Sequence, residues 1–232
     1  MSGPLKRTKI KAVLTGDVVK STRLTTEELN DTRERLLTAI QEISGWADGL
    51  VIGKPEFFRG DSWQVLIGDP RYFLRISIFI RAYLRRANRE WDTRIAIGLG
   101  AVDHVEHDRI SLSSGSAFVS SGKQLDAMSS SLGFAVSHTF EDAKSLGWIE
   151  PLVALCSASV SHWSERQANI LCRMLPLLSP TQTDLAAELQ ISKQAVSKSL
   201  HTADFDPIMC AIDWVERFDW QNRKLKPVVR PI

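Results

Sequence analysis

Short apolar runs alternate with amphipathic stretches along the first 140 residues of the chain. Apolar runs bounded by turn-forming residues are typical of buried strands, whereas apolar positions spaced three and four apart indicate helices. On this pattern, strands are predicted at 10–14, 51–58, 63–67, 94–102 and 134–137, and helices at 25–43, 70–88 and 116–128. The order β-α-β-β-α-β-α-β is the plan of a ferredoxin-like palm. We therefore predict an α+β fold with an antiparallel-rich sheet and its helices on one face.

The helix predicted at 70–88 has two different sides. Its apolar residues share one face at 100° per residue, and arginines occupy the opposite arc. These arginines are Arg71, Arg75, Arg81, Arg85, Arg86 and Arg89. Two interpretations stay open: a stripe that contacts phosphate or nucleic acid, or a solvated face of long side chains.

The last third of the chain has a purely helical pattern. Serines accumulate at 157–164, so we place a domain boundary there, with a palm-like domain at 1–156 and an all-α domain at 157–232. A first helix is predicted from Trp163 to Leu178, Thr181 caps a second, and Ser192 caps a third at 193–200. This arrangement predicts a helix-turn-helix unit, followed by a last helix at 206–218.

The outer side of the third helix has the residue types that contact DNA. Its exposed positions are predicted to be Lys193, Gln194, Ser197 and Lys198, which suit phosphates and base edges. The alternative is a helical pair used for packing or protein contact. Residues 164–232 contain nine Lys or Arg and eight Asp or Glu, so we expect binding to double-stranded DNA to depend on a homodimer.

Composition bounds the compartment and the partners. A net charge of +2 over 232 residues means that any basic surface must be local. Three widely separated cysteines in apolar contexts are typical of reduced core residues. The sequence has no apolar run of 18 residues and its N-terminus lacks the features of a signal peptide, so we expect a cytoplasmic protein without a membrane span.

Two aspartates stand at the ends of predicted strands. Gly16-Asp17 closes the apolar run 10–14, and Asp61 belongs to the hairpin Arg59-Gly60-Asp61 between two strands. Mg²⁺ prefers oxygen ligands and often takes one or two carboxylates together with phosphate oxygens. The pair therefore predicts a site for Mg²⁺ or Mn²⁺ with a nucleoside triphosphate, although each Gly-Asp also fits plain turn chemistry.

Four segments resemble the SatD family of small bacterial proteins. They are Gly16 to Ser21, Gly60 to Gln64, Arg94 to Gly100 and Gly115 to Phe118, followed by the predicted helix-turn-helix. The first three are also similar, more distantly, to the palm core of class III nucleotidyl cyclases. The resemblance implies that Asp17 and Asp61 are metal ligands. It further implies that the backbone at Val18, Val19, Lys20 and Ser21 holds phosphates.

The sequence departs from the cyclase pattern at the positions that act on the substrate. An asparagine and an arginine are usual there, and Ser120 and Gln124 stand nearest to them, with Lys123 alongside. Lys54 is an offset match to the lysine that selects the base. Loss of an arginine at a phosphoryl-transfer centre costs about 10³-fold in rate or more.

Three hypotheses about function follow from these patterns. The first is a one-component transcription regulator that senses a nucleotide with Mg²⁺ and binds DNA. The second is a divergent cyclase-like phosphoryl-transfer enzyme, and the third is a protein-interaction module in which both sites are relics.

Overall fold

The computed structural model describes residues 9–140 and 146–225. It contains a sheet of five strands, a C-terminal two-stranded hairpin and eight α-helices within those ranges. The sheet strands are β1 (Ile10–Val18), β2 (Val51–Phe58), β3 (Ser62–Ile67), β4 (Thr93–Ala101) and β5 (Phe134–His138), and the hairpin pairs β6 (Phe218–Asp219) with β7 (Lys224–Leu225). The helices are α1 (Thr26–Ser44), α2 (Phe73–Arg85), α3 (Ser116–Ala127), α4 (Ile149–Ser161), α5 (Glu165–Met174), α6 (Gln182–Glu188), α7 (Lys193–Thr202) and α8 (Phe205–Arg217).

The sheet has the strand order β2-β3-β1-β4-β5. All neighbouring strands are antiparallel except β4 and β5, which are parallel. The predicted element order of the first 140 residues and the α+β class are therefore confirmed. Strand β1 extends to Val18, so Gly16-Asp17 lies inside the strand and not in a turn after it, because both residues pair with β3 and β4.

Helices cover both faces of the sheet, so the prediction of helices on one face is wrong. Leu14 and Ile97 pack into the core formed with α1, α2 and α4. Val13 points the other way and packs against Ala117 and Phe118 of α3. Successive residues of a strand point to opposite faces, so an apolar run such as 12–14 indicates that both faces are covered.

Helix α3 lies unusually close to the sheet. A methyl group at Gly98 of β4 would stand 2.2 Å from the carbonyl oxygen of Ala117. Only a glycine allows this approach, since a real Cβ atom does not come so near a backbone oxygen. The close contact fixes which residues of α3 face the cleft described below.

Side-chain caps are present at the start of α1 and just before α2. Thr25 accepts from the Glu28 N–H and Glu28 accepts from the Thr25 N–H, a capping box at the start of α1. Asp69 accepts from the Arg71 N–H where a single 3-10 turn leads into α2. Leu37, an apolar residue of α1, is 38% exposed and so lies outside the core.

The three arginines of the arc that lie within α2 match neither interpretation of the sequence, whereas Arg89, after the helix, is exposed. Arg75, Arg81 and Arg85 are buried, because helices α4, α5 and α8 form a second layer over the polar side of α2. Arg75 pairs with Glu216 of α8, whereas Arg81 and Arg85 share Asp92. These three arginines therefore form an internal charged layer between the sheet-covering helix and the C-terminal helices.

These arginines also satisfy the ends of two helices. Arg75 donates to the carbonyl oxygen of Leu175, the C-cap of α5, at 2.9 Å. Arg85 donates to the carbonyl of Ser161, the last residue of α4, at 3.0 Å and to that of Trp163, two residues further on, at 2.9 Å. Cations at helix C-termini bind carbonyls that have no partner inside the helix. The C-terminal helices are thereby fixed to α2.

Helices α6, α7 and α8 form at the predicted positions, but the first predicted helix differs. Helix α5 begins with a capping box between Ser164 and Gln167 and ends at Met174, short of the predicted Leu178. The proposed boundary after residue 156 falls inside α4, where the buried Ser157 hydroxyl accepts from the N–H groups of Gly133 and Phe134. The division into two domains stays a prediction.

Two of the three cysteines are buried as predicted, whereas Cys210 is exposed on α8. Burial raises the pKa of Cys156 to about 11 and that of Cys172 to about 12. No helix among the described residues combines the length and apolar composition needed to cross a bilayer.

Candidate functional site

The structure brings the two predicted aspartates to one end of the sheet. Asp17 lies opposite Ser62 of β3 and Arg94 of β4, and Asp61 is the residue just before Ser62. The backbone oxygen of Asp61 accepts from the Val18 N–H at 3.2 Å, which joins the hairpin to the end of β1. We call Asp17, Asp61 and Arg94 the sheet rim.

The Asp17 carboxylate is already bonded within the protein. Arg94 Nε donates to Asp17 Oδ1 at 2.9 Å, and Arg94 Nη2 donates to Oδ2. This bidentate contact is the main cause of the raised pKa of Arg94. Arg94 was not among the predicted site residues, because only the register of β1 against β4 places it across from Asp17.

Asp61 has a different partner. The hydroxyl of Ser21 donates to Asp61 Oδ2 at 2.5 Å. Asp61 also contributes to the raised pKa of Arg94, so the guanidinium lies in the field of both carboxylates. The sheet rim is thus two carboxylates around one arginine.

The backbone predicted to hold phosphates has two of its four donors engaged. Val18 N–H donates to Asp61 and Val19 N–H donates to the carbonyl of Asp92, at 3.2 and 2.9 Å. Lys20 adopts a left-handed conformation with φ of 55°, and its ammonium lies 3.5 Å from Glu90. Ser21 uses its hydroxyl on Asp61.

A cleft of about 680 Å³ opens beside Asp17, between the sheet and α3. We call it the Asp17 cleft. Its lining is Thr15, Asp17, Phe58, Arg59, Ser62, Gln64, Arg94, Ser111, Gly122, Leu125 and Asp126. Its floor is a hydrogen-bonded group, in which Gln64 Nε2 donates to the Thr15 hydroxyl and that hydroxyl bonds to Ser121, both at 2.8 Å. The size is that of small-molecule sites, which span about 300–1,000 Å³.

Arg59 is a cation at the edge of the Asp17 cleft that sequence analysis placed only in a turn. It is exposed, has a φ of 50°, and forms no hydrogen bond or ion pair with any of the residues that the structure describes. Its guanidinium is therefore available to an anion in the cleft, unlike that of Arg94.

Lys123 and Gln124 do not line the Asp17 cleft. They line a separate cavity of about 480 Å³ between α3 and the edge strand β5, with Ser120 and Ser137. Successive residues of a helix are 100° apart, so Gly122 and Asp126 face one cavity and Lys123 faces the other. Within one copy of the chain, Lys123 and Gln124 therefore line a different cavity from Asp17.

Lys54 also lies away from the sheet rim. Its ammonium is 2.7 Å from the Asp108 carboxylate, and both side chains are about three-quarters exposed. The pair raises the pKa of Lys54 and lowers that of Asp108. Lys54 lines neither of the two cavities beside α3.

The predicted DNA-contacting residues share one surface. Lys193, Gln194, Ser197 and Lys198 are all exposed on α7, and together with Gln182 and His201 they line a shallow groove of about 520 Å³. We call this surface the α7 face. The opposite side of α7 packs inward through the buried Val196 and Leu200.

The start of α7 is fixed by the turn that precedes it. Ser192 accepts from the Ala195 N–H at 3.1 Å, and Gln190 adopts a left-handed conformation with φ of 53°. The Ile191 N–H donates to the carbonyl of Ala186 at 3.0 Å. A non-glycine residue in this conformation costs about 1 kcal/mol, which the buried packing of α6 against α7 must offset.

The donor set at the sheet rim fits a divalent cation only in part. Two carboxylates at one end of the sheet are hard oxygen donors of the type that Mg²⁺ prefers. However, both oxygens of Asp17 are bonded to Arg94. Within residues 9–140 and 146–225 there is no group of three or more His, Cys, Asp or Glu side chains placed to hold a metal ion.

Comparison with known proteins does not assign the chain. No family model matches it, and no curated protein matches it. The solved structure of the guanylyl cyclase Cya2 aligns with a TM-score of 0.37 and 15% identity, over 56% of this chain and 75% of that one. This similarity is too low to support an activity. The resemblance to the SatD family stays a prediction from the quoted motifs.

Proposed function

We propose that the chain is a SatD-like one-component transcription regulator that binds double-stranded DNA through the α7 face and a nucleotide in the Asp17 cleft. The observation that carries the proposal is the composition of the α7 face. Its six lining residues include two lysines, two glutamines, a serine and a histidine, and no acid. A surface of this kind attracts phosphates and offers donors and acceptors to base edges.

The shape of α7 supports the same role. Ten residues of helix are about 15 Å long, and an α-helix fits the major groove, which is about 12 Å wide. Lys193, Gln194 and Ser197 lie in its first half, the part of a recognition helix that contacts bases. The C-terminal region carries only a small positive charge, so one chain alone makes few phosphate contacts. We therefore expect a homodimer, which doubles their number.

Fluorescence anisotropy on a pool of genomic fragments tests DNA binding. Lys198→Ala is expected to weaken binding and to lower the slope of log affinity against log salt by about 1, the amount for one lost phosphate contact. Arg89→Ala removes an equal charge from an exposed site after α2 and serves as the control. An unchanged salt slope in Lys198→Ala would remove α7 from the interface.

The Asp17 cleft supports the sensor half of the proposal. A ligand phosphate would meet Arg59 at the mouth of the cleft and the hydroxyl of Ser62 on its sheet side. A divalent cation would take Asp17 and Asp61 as ligands, which requires the Asp17 pair with Arg94 to open. Arg94 would then be free to bind the anion that the cation accompanies.

A divergent cyclase-like enzyme is the second candidate, favoured by the same two carboxylates at one sheet end. Incubation with each of the four nucleoside triphosphates and Mg²⁺ or Mn²⁺ distinguishes this enzyme from the nucleotide sensor. Product formation that is lost in Asp61→Ala supports the enzyme. A metal-dependent thermal shift without product supports the sensor. If neither product nor a thermal shift is observed, only a DNA- or protein-binding role remains.

A further inference from the structure

A continuous series of hydrogen bonds, part-buried at its first member and buried beyond it, starts at the sheet rim. The Thr93 hydroxyl donates to the backbone oxygen of Asp17 at 2.6 Å. The preceding residue in the chain, Asp92, accepts from the Val19 N–H through its backbone oxygen at 2.9 Å. Thr93 is fully buried and Asp92 is 7% exposed, whereas Asp17 and Val19 are partly buried.

The series continues through the charged layer. Asp92 Oδ2 accepts from Arg85 Nη1 at 3.0 Å, and Arg85 Nη2 donates to the carbonyl of Trp163 at 2.9 Å. Arg81 binds the same carboxylate, so two arginines share one buried anion. A displaced Asp92 would leave these cations unpaired, which is costly in a protein interior. Arg81 and Arg85 must therefore move with it.

The series ends at the C-terminus of α7. Trp163 is 1% exposed, and its Nε1–H donates to the carbonyl of Ala203, the C-cap of α7, at 3.0 Å. Two neighbouring hydrogen bonds also hold the end of α7. Gln167 Nε2 donates to the Thr202 hydroxyl at 3.0 Å, and the Ser159 hydroxyl donates to Asp204 Oδ2 at 2.7 Å.

We propose that Thr93, Asp92, Arg85 and Trp163 form a mechanical link that couples the sheet rim to α7. Only the identity of the ligands that bind at the two ends of this link rests on the proposed function. A ligand that engages Asp17 must separate it from Arg94, and Thr93 is bonded to Asp17 and adjacent to Arg94 in the chain. Any rearrangement of the rim therefore acts on the first member of the link.

Hydrogen exchange of the full chain, read by mass spectrometry, tests the link without ligand or DNA. Asp17→Asn disturbs the rim. It is expected to change exchange over 199–204, at the end of α7, by about 2- to 30-fold, the range for coupling between distant sites. In a Trp163→Phe background, which lacks the donor to Ala203, the same substitution is expected to leave 199–204 unchanged.

Thr93→Val provides a second break near the rim, in case Trp163→Phe does not fold. Glu90→Gln, an exposed change two residues from Asp92, is the control and should leave 199–204 unaffected. The link is refuted if Asp17→Asn alters exchange at 18–19 but not at 199–204. An equal effect on 199–204 with and without the broken link also refutes it. Neither result bears on DNA or nucleotide binding, which the experiments above measure separately.

Discussion

Arg81 and Asp92 form a buried bidentate ion pair, with Nε donating to Oδ1 at 2.7 Å and Nη2 donating to Oδ2 at 2.5 Å. Their side chains are 3% and 10% exposed. Arg85 binds the same carboxylate, and both arginines also donate to backbone carbonyls around the end of α4. One aspartate thus connects α2, the start of β4 and the C-terminal helices.

Asp92→Ala is expected to destabilise the protein strongly. It leaves Arg81 and Arg85 buried without an anion, and loss of one partner of a buried pair costs about 3–5 kcal/mol. The free energy of unfolding from urea titration measures the change. Glu90→Ala removes a neighbouring carboxylate whose pair with Lys20 is more than half exposed, so its cost should be at most about 1 kcal/mol. Equal effects of the two substitutions would contradict the role assigned to Asp92.

Gly133→Ala tests how firmly Arg81 is held. A methyl group there would lie 2.0 Å from Arg81 Nη1, so either the guanidinium or the backbone must move. A free arginine would move at little cost, but this one is bonded to Asp92 and Ser161. We expect a loss of about 1–3 kcal/mol in unfolding free energy.

Gly122→Ala is the matched control for that substitution. No atom lies within 4 Å of the added methyl group, and the residue is inside α3. Alanine favours a helix interior over glycine by up to about 1 kcal/mol, so this variant should be as stable as the parent or more stable. A neutral Gly133→Ala would show that Arg81 or the backbone at Gly133 moves at little cost, and would contradict a firmly held guanidinium.

The three thiols are expected to react at very different rates. The thiolate is the reactive species, and burial raises the pKa of Cys156 to about 11 and of Cys172 to about 12. Cys210 is exposed. At pH 8 a disulfide reagent such as Ellman's should therefore label one thiol per native chain rapidly and three per unfolded chain. Cys210→Ser should abolish the rapid phase, and a second rapid thiol would contradict the burial of α4 or α5.

Acid is expected to weaken the fold through His138 at the end of β5. Partial burial lowers its pKa, with an opposing contribution from Glu150. The neutral ring stacks on Phe140, and its Nδ1 accepts from the Phe140 N–H. Because the folded-state pKa lies below the unfolded value, this contribution is present above the unfolded pKa, about 6.5, and declines as the pH falls below it.

Thermal unfolding between pH 8 and pH 5 measures this effect. His138→Gln cannot titrate, so its melting temperature should fall less over that interval than that of the parent. The opposite order would mean that the folded protein prefers the charged ring.

Local rules in the sequence determined much of the architecture. Apolar periodicity predicted the first five strands and α1 to α3, because the residues that each element buries recur along its own sequence at the spacing of a strand or a helix. The caps at Thr181 and Ser192 were predicted because each acts over three residues. Helix α4 was missed, since its serines have the composition of a linker, yet Ser157 is buried against the start of β5.

The sequence by itself determined that the chain carries two aspartates near strand ends and a lysine-bearing helix after a capped turn. Tertiary structure alone decided that Asp17 is bonded to Arg94, that Lys123 faces a different cavity, and that the arginines of α2 are internal. The physical reason is the separation along the chain over which each effect acts. Helix and strand periodicity act over a few residues, whereas the partner of a charge is set by strand register and by layers that pack from more than 70 positions away.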